Sequence, residues 1–129
     1  MITMGDEVRD NLKYTDTHEW IRIKAGSATV GITDHAQSEL TDIVFVELPE
    51  VGKEVKKGEE LCVVESVKSV SEIYSPISGK ISKVNKALEE TPETINKSPY
   101  DEGWLIEIEI SNESEITDLL DAKSYKDLI

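Results

Sequence analysis

Leu61-Cys62-Val63-Val64-Glu65-Ser66-Val67-Lys68-Ser69-Val70-Ser71-Glu72-Ile73-Tyr74 is the stretch on which the reading of this chain turns. The apolar run Leu61-Cys62-Val63-Val64 predicts a strand, and Val70-Ser71-Glu72-Ile73-Tyr74 predicts the strand that returns beside it. Ser75-Pro76-Ile77-Ser78-Gly79 ends the second strand with turn chemistry. A hairpin of this kind puts Lys68 at its tip, projecting into water. Taken alone, such a lysine is an ordinary solvated side chain, because loop tips lie at the surface and are usually polar.

Period-two alternation extends outward from this hairpin. Trp20-Ile21-Arg22-Ile23-Lys24 turns at Ala25-Gly26-Ser27 into Ala28-Thr29-Val30-Gly31-Ile32, a second hairpin. Thr33 predicts the N-cap of a short helix from Asp34 to Leu40, with an acid in its first turn. Ile43 to Leu48 reads as a strand stopped by Pro49, and Lys80 to Asn85 as another. Lys86 to Tyr100, broken by Pro92 and Pro99, reads mostly as loop. Trp104, Ile106, Ile108 and Ile110 share one face of a last strand, and Ser114 opens a helical tail carrying Ile116, Leu119 and Leu120 at helical spacing. Tyr125, Leu128 and Ile129 continue that tail as a second short helix.

Composition narrows the function. A chain of 129 residues holds one proper core and hardly two. Net charge is −13, from 27 acidic against 14 basic residues, which repels nucleic acid and anionic membrane and favours basic protein surfaces. The single Cys62 cannot close an internal disulfide, and its apolar setting marks a small core residue. No apolar run is long enough to cross a bilayer, and the N-terminus lacks signal-peptide or transit-peptide character. A cytoplasmic protein is expected, or the mature form of one imported into an organelle matrix.

Several catalytic signatures fail. His18-Glu19-Trp20-Ile21-Arg22 begins like a zinc-protease helix but has Arg22 where the second histidine is required. No phosphate-binding Gly-rich loop and no Cys cluster occur, and His18 and His35 lie far apart in sequence. Neither a metal site nor independent catalysis is expected.

The residues around Lys68 separate it from an ordinary surface lysine. Glu65-Ser66-Val67-Lys68, followed by Ile73-Tyr74-Ser75-Pro76-Ile77-Ser78-Gly79, closely resembles the lipoyl-lysine segment of the glycine cleavage system H protein family. Tyr14-Thr15-Asp16-Thr17-His18-Glu19-Trp20, Val30-Gly31-Ile32-Thr33-Asp34-His35-Ala36-Gln37 and Val44-Phe45-Val46-Glu47-Leu48-Pro49 resemble further blocks of that family, in its order. Asn96-Lys97-Ser98-Pro99-Tyr100 and Gly103-Trp104-Leu105 resemble the approach to its last strand. Three positions depart from the pattern: Ser69-Val70 replaces a small, Ala-rich pair, and Thr41 stands where a glycine is usual.

The resemblance implies an all-β barrel-sandwich hybrid of the lipoyl/biotinyl-carrier type, with short helices and a helical C-terminal tail. It implies a single lipoyl-carrier domain over 1–129, with 1–11 as an N-terminal extension and 114–129 as the tail. Lys68 would carry lipoic acid as an amide, attached by a lipoate ligase or lipoyltransferase that reads the hairpin and Glu65. Lysine amines are mostly charged at neutral pH, so that enzyme must activate the acyl group itself. A protein disulfide prefers a dihedral of about 85–100°; a five-membered dithiolane cannot reach it and is readily opened. In the family that ring accepts an aminomethyl group from glycine decarboxylase and passes it to an aminomethyltransferase, and dihydrolipoamide dehydrogenase reoxidises it. The resemblance also implies an arm-docking cleft at Thr17, Glu19 and Glu72, whose carboxylates would hold the cationic amine. Glu39 stands in the region, shortly after Asp34-His35-Ala36-Gln37, where the family sometimes has a second histidine. A monomer is expected. The rival readings are an H-like lipoate relay to 2-oxo acid dehydrogenases and an unmodified acidic interaction domain; a biotin carrier is disfavoured because Val67 and Ser69, not Met, flank the lysine.

Overall fold

Nine antiparallel strands form two sheets in this computed structural model, which describes residues 7–129. The larger sheet contains β1 (Lys13–Tyr14), β2 (Glu19–Lys24), β3 (Ser27–Ile32), β5 (Glu54–Val55), β8 (Gly79–Val84) and β9 (Ile106–Ile110), in the order β1-β2-β3-β9-β8-β5. The smaller contains β4 (Ile43–Glu47), β6 (Glu60–Ser66) and β7 (Val70–Tyr74), with β6 in the middle. Neither closes into a barrel; the two pack face to face as a sandwich.

Alternation decides which side of each strand faces inward. Ile21, Val30, Ile81, Ile106 and Ile108 from the larger sheet meet Val46, Val64 and Ile73 from the smaller in one buried cluster. Each fully buried side chain of this size contributes about 1.5–3 kcal/mol, so this shared face is the main force joining the sheets. Ile106 and Ile108 are fully buried, while Trp104 and Ile110 on the same face are half-buried. A smaller aromatic cluster of Leu12, Tyr14, Trp20, Tyr100, Ala122 and Tyr125 lies at one end, where Tyr14 and Tyr125 stack with centroids 4.6 Å apart.

The β2–β3 hairpin turns through Ala25 and Gly26, both with positive φ (48° and 83°), the backbone of a tight two-residue hairpin. Gly31 stands opposite Trp20 because nothing larger fits: a Cβ there would come within 2.6 Å of the indole ring. Thr33 caps α1 (Asp34–Leu40) as expected, its hydroxyl accepting from the Ala36 amide at 3.1 Å.

Two expectations are corrected. The segment 86–100 is not mostly loop: α2 (Ala87–Glu90) and α3 (Thr94–Lys97) occupy it, burying Leu88 and Ile95 respectively. Each helix is one turn long and carries one buried apolar residue, too little for a helical period to register. The tail is also not one helical spacing. Glu113–Asp118 forms a 3₁₀ turn capped by Asn112, Leu119 is extended, and Leu120 pairs with Tyr14 in an antiparallel bridge. Only then does α4 (Ala122–Leu128) begin, capped by Asp121 and buried through Ala122 and Tyr125, with Leu128 and Ile129 exposed. Of the expected N-terminal extension, residues 1–6 lie outside the described residues. Arg9 ties the remainder down through two bonds to the Asp101 carboxylate at 2.9 and 3.0 Å. Among the described residues no helix is long and apolar enough to cross a membrane.

Candidate functional site

The β6–β7 hairpin ends in the turn Ser66-Val67-Lys68-Ser69, with Lys68 exposed at its tip. The turn is braced rather than loose. The Ser66 amide donates to the Ser69 carbonyl at 2.8 Å, and the Ser66 hydroxyl accepts from the amides of Lys68 and Ser69, both at 3.0 Å. A side-chain oxygen thus satisfies two turn amides, the usual serine device for fixing a tight turn. From outside the hairpin, the Val67 amide donates to the Asp42 carbonyl at 3.0 Å, and Lys68 Nζ donates to the Glu39 carbonyl at 3.2 Å. Glu39 lies in the last turn of α1, where carbonyls carry the negative end of the helix and favour a cation.

Thr41 explains how those two carbonyls come to face the tip. Its φ of 63° and ψ of −144° lie in a region essentially reserved for glycine, which accounts physically for the glycine usual at this position. Asn96 holds the turned segment: its side chain donates to the Thr41 carbonyl at 2.8 Å and accepts from the Ile43 amide at 2.9 Å.

Glu65 is half-buried in the row nearest the tip, flanked across the sheet by Phe45 and Val70. Glu72 stands two rows further back, on the same solvent-facing side, opposite Val63 and beyond it Glu47. It is exposed, accepts from the Tyr74 hydroxyl at 3.1 Å, and as a neighbouring carboxylate raises the Glu60 carboxyl above the usual range.

Glu19 is different. It opens β2 and is only 1% exposed. The hydroxyls of Thr15 and Thr17 both donate to its Oε1 at 2.6 Å, and the Tyr74 amide approaches its Oε2 at 3.4 Å. Burial pushes this carboxyl up; the threonine hydroxyls and the Tyr74 amide pull it down, and burial wins. Glu19, Thr17 and Tyr74 line a cavity of about 520 Å³ that reaches to Tyr14, Lys57 and Asp118. Lys57 and Asp118 pair across its far wall at 3.0 Å.

The structure therefore joins Thr17 and Glu19 directly. Glu72 comes from the other sheet, does not line this cavity, and among the described residues is linked to Glu19 through Tyr74. Lys68 lies in the turn beyond β7, whose span from Val70 to Tyr74 alone is about 13 Å at 3.3 Å per residue. Three contributors escaped the sequence reading: Ser66, Tyr74 and Thr15. Thr15 and Thr17 precede Glu19 by four and two residues, a spacing that a tight turn converts into two hydroxyl donors on one carboxylate. The two histidines, distant in sequence, lie with ring centroids 4.9 Å apart. Cys62 is buried, and burial pushes its thiol well above the ordinary range, consistent with a core residue.

Two packed antiparallel sheets thus present one lysine on a braced hairpin, with a carboxylate-lined cleft at the hairpin's base. The sequence profile of the glycine cleavage H-protein family matches residues 12–129. A glycine cleavage system H protein from Endomicrobium trichonymphae is 58% identical over 122 residues, 95% of this chain and 98% of that protein. One from Thermotoga maritima is 56% identical over 115 residues, covering 89% and 93%. The crystal structure of a glycine cleavage system H protein from Mycobacterium marinum is 40% identical and superposes with a TM-score of 0.81 over 92% of this chain and 95% of that one. The chain belongs to the glycine cleavage H-protein family, the lipoyl carriers of the glycine cleavage system. It is a carrier subunit of that multienzyme system and not a catalyst, which sets aside the relay and the unmodified interaction domain.

Proposed function

We propose that Lys68 is the residue that carries the lipoyl group, and that the arm serves glycine decarboxylase, the aminomethyltransferase and dihydrolipoamide dehydrogenase in turn. The observation that carries this reading is the braced turn. The four backbone amides of Ser66–Ser69, the Ser69 carbonyl and the Ser66 hydroxyl are committed to fixing the tip, leaving the Lys68 amine exposed with a single carbonyl partner among the described residues. An acceptor amine must be reachable by a modifying enzyme and held at a defined place, and Lys68 fits both requirements. The attached group supplies a strained dithiolane whose sulfurs take up and release the cargo.

The chain's own residues supply positioning and shielding. Acylation of Lys68 removes its charge and leaves one neutral amide N–H in place of three charged donors, which weakens the hold of the Glu39 carbonyl on the side chain. Glu19, with the Thr15 and Thr17 hydroxyls fixed on one oxygen, offers its other oxygen to a cationic amine brought into the cleft. Glu72 adds negative charge on the outer face of the hairpin. Glu65 lies beside the tip, within the surface that a lipoate ligase or lipoyltransferase must read.

The test is an intact mass of protein treated with a lipoate ligase, ATP and lipoate. One lipoyl group should be added, and Lys68→Arg should abolish the addition. Modification persisting in that variant would overturn the assignment.

A further inference from the structure

The cavity beside Glu19 carries an ion pair that the holding of the cargo does not use. Among the described residues that line it, Asp16, Glu19 and Asp118 are acidic and Lys57 is the one basic side chain. Lys57 belongs to the turn between β5 and β6, and Asp118 ends the 3₁₀ turn of the tail. Their charges meet at 3.0 Å.

The main chain on both sides of this pair is pinned. The Lys57 amide donates to the Ser78 hydroxyl at 2.9 Å, and the Gly58 amide to the Ser75 carbonyl at 2.8 Å. Ser78 in turn donates its amide and hydroxyl to the Glu115 carboxylate at 2.7 and 2.9 Å, which fastens the 3₁₀ turn to the same segment. Just beyond Asp118, Leu120 and Tyr14 exchange two backbone bonds, each of 2.8 Å. The far wall is therefore fixed, whereas the Lys57 ammonium is exposed and rides on a flexible methylene stem.

A free ammonium on that wall is a rival to the cargo. Glu19 is buried at the edge of the same cavity; the Thr15 and Thr17 hydroxyls occupy its Oε1, and its Oε2 has the longer approach of the Tyr74 amide at 3.4 Å. A cation tethered by a short flexible stem meets a facing carboxylate at an effective concentration on the order of millimolar. Unpaired, Lys57 would compete for Oε2 with the amine that the arm delivers. Asp118 gives it another carboxylate.

We propose that Asp118 sets the selectivity of the cavity for a cationic cargo by holding Lys57 on the far wall, so that the open oxygen of Glu19 stays available. The inference rests on the reading of the Glu19 cleft as the seat of the cargo amine. Lys57 and Asp118 are positioning residues that act through Glu19. The other groups that bear on the Glu19 carboxyl are the Thr15 and Thr17 hydroxyls and Asp16 from its own turn, the Tyr74 amide from β7, and Cys62 on β6, whose thiol feels the Glu19 charge. Both members of the pair are exposed, so the effect has the size of a surface pair.

Two measurements test this. In protein without the lipoyl group, the Glu19 carboxyl is titrated by ¹³C NMR at about 1 M salt, where the Debye length of about 3 Å leaves direct contacts and removes distant charges. Glu19 should titrate at lower pH in Asp118→Asn than in the parent, and should return in the double variant Lys57→Met with Asp118→Asn. In lipoylated protein loaded with the aminomethyl group, ammonia release should quicken about two- to fivefold in Asp118→Asn. It should return to the parent rate in the double variant and be no faster than the parent in Lys57→Met. Asp118→Glu, which keeps the counter-charge, should match the parent in both measurements. An unmoved Glu19 titration in Asp118→Asn overturns the proposal, because Lys57 then does not reach the carboxylate. Equal quickening in Lys57→Met and Asp118→Asn that the double variant does not repair overturns it in favour of a latch that only holds the tail. A moved titration with unchanged ammonia release overturns the reading of the cleft as the seat of the cargo, and the selectivity with it.

Discussion

Replacing Glu19 by Gln separates a shielding carboxylate from a merely structural one. The side chain is 1% exposed, and its three donors leave room for one further partner on Oε2. Gln keeps an acceptor oxygen for Thr15 and Thr17 and removes the charge. A hydrogen bond to a charged group in such a site is worth about 1.5–3 kcal/mol, and about 1.4 kcal/mol is a factor of ten. Loss of ammonia from the aminomethyl-loaded protein should therefore quicken by about 10- to 150-fold in Glu19→Gln. Glu72 is exposed, and a surface pair contributes about 0.2–1 kcal/mol, so Glu72→Gln should quicken it by no more than about fivefold. The assay is ammonia release at matched lipoylation. Equal, small effects in the two variants would refute the reasoning, because they would mean that burial of Glu19 does not strengthen its grip on the cargo.

The same variant carries a pH signature whose sign follows from burial. Glu19 in the folded protein lies above the ordinary glutamate value of about 4.3, so the folded state binds its proton more readily than the unfolded state. Its favourable contribution is full below that ordinary value and is lost as pH rises through the raised one. Gln has no such dependence. The Tm of Glu19→Gln minus that of the parent should therefore grow as pH rises from about 4.3 and then level off. Cargo retention in the parent should weaken as pH falls through the raised value, since only the carboxylate holds a cation, and should be flat in Glu19→Gln. A Tm difference that does not vary with pH would show that burial does not hold the Glu19 carboxyl above its ordinary range.

Two further outcomes concern the frame around the lysine. Thr41→Gly should stabilise the fold by about 1 kcal/mol, because glycine adopts this backbone without the 1–3 kcal/mol strain of other residues but loses more chain entropy; urea unfolding would show it as a higher midpoint. Ser66→Ala removes the acceptor for two turn amides, so hydrogen exchange at Lys68 and Ser69 should quicken and lipoylation should slow, with Tm lowered by a loss of about 1–2 kcal/mol.

How far the sequence reveals this molecule depends on the range of the forces that shape each part. The hairpin of Leu61 to Tyr74, the Trp20–Ile32 hairpin and the capped helix at Thr33 are fixed by alternation, turn residues and one side-chain cap, all of them local. The short helices at Ala87–Glu90 and Thr94–Lys97 each dock through one residue, Leu88 or Ile95, and owe their shape to what they pack against. The tail divides because Leu120 finds a strand partner in Tyr14, more than a hundred residues away in sequence. Glu19 is the clearest case at the site. Its motif position marks it as a cleft residue, but one of its partners is the Tyr74 amide, which belongs to the opposite sheet.

The same division accounts for the design of the tip. A lysine that merely projected into water would need no more than a polar turn. Here Ser66 fixes the turn from within, and Asp42 and Glu39 fix it from the end of α1, at a backbone angle that Thr41 adopts at a cost and Asn96 holds. Strain in one segment is thus coupled to the position of one amine in another. That coupling favours a tip whose place is set before any enzyme arrives, so recognition need not order the loop and the binding free energy is not spent on it. Mobility is then confined to the side chain beyond Cα, where a carrier needs it. Relieving Thr41 by glycine should consequently raise stability while loosening the Asp42–Val67 contact, so a variant that unfolds later should also be lipoylated more slowly. If Thr41→Gly is both more stable and lipoylated at the parent rate, the strained turn has no part in presenting Lys68.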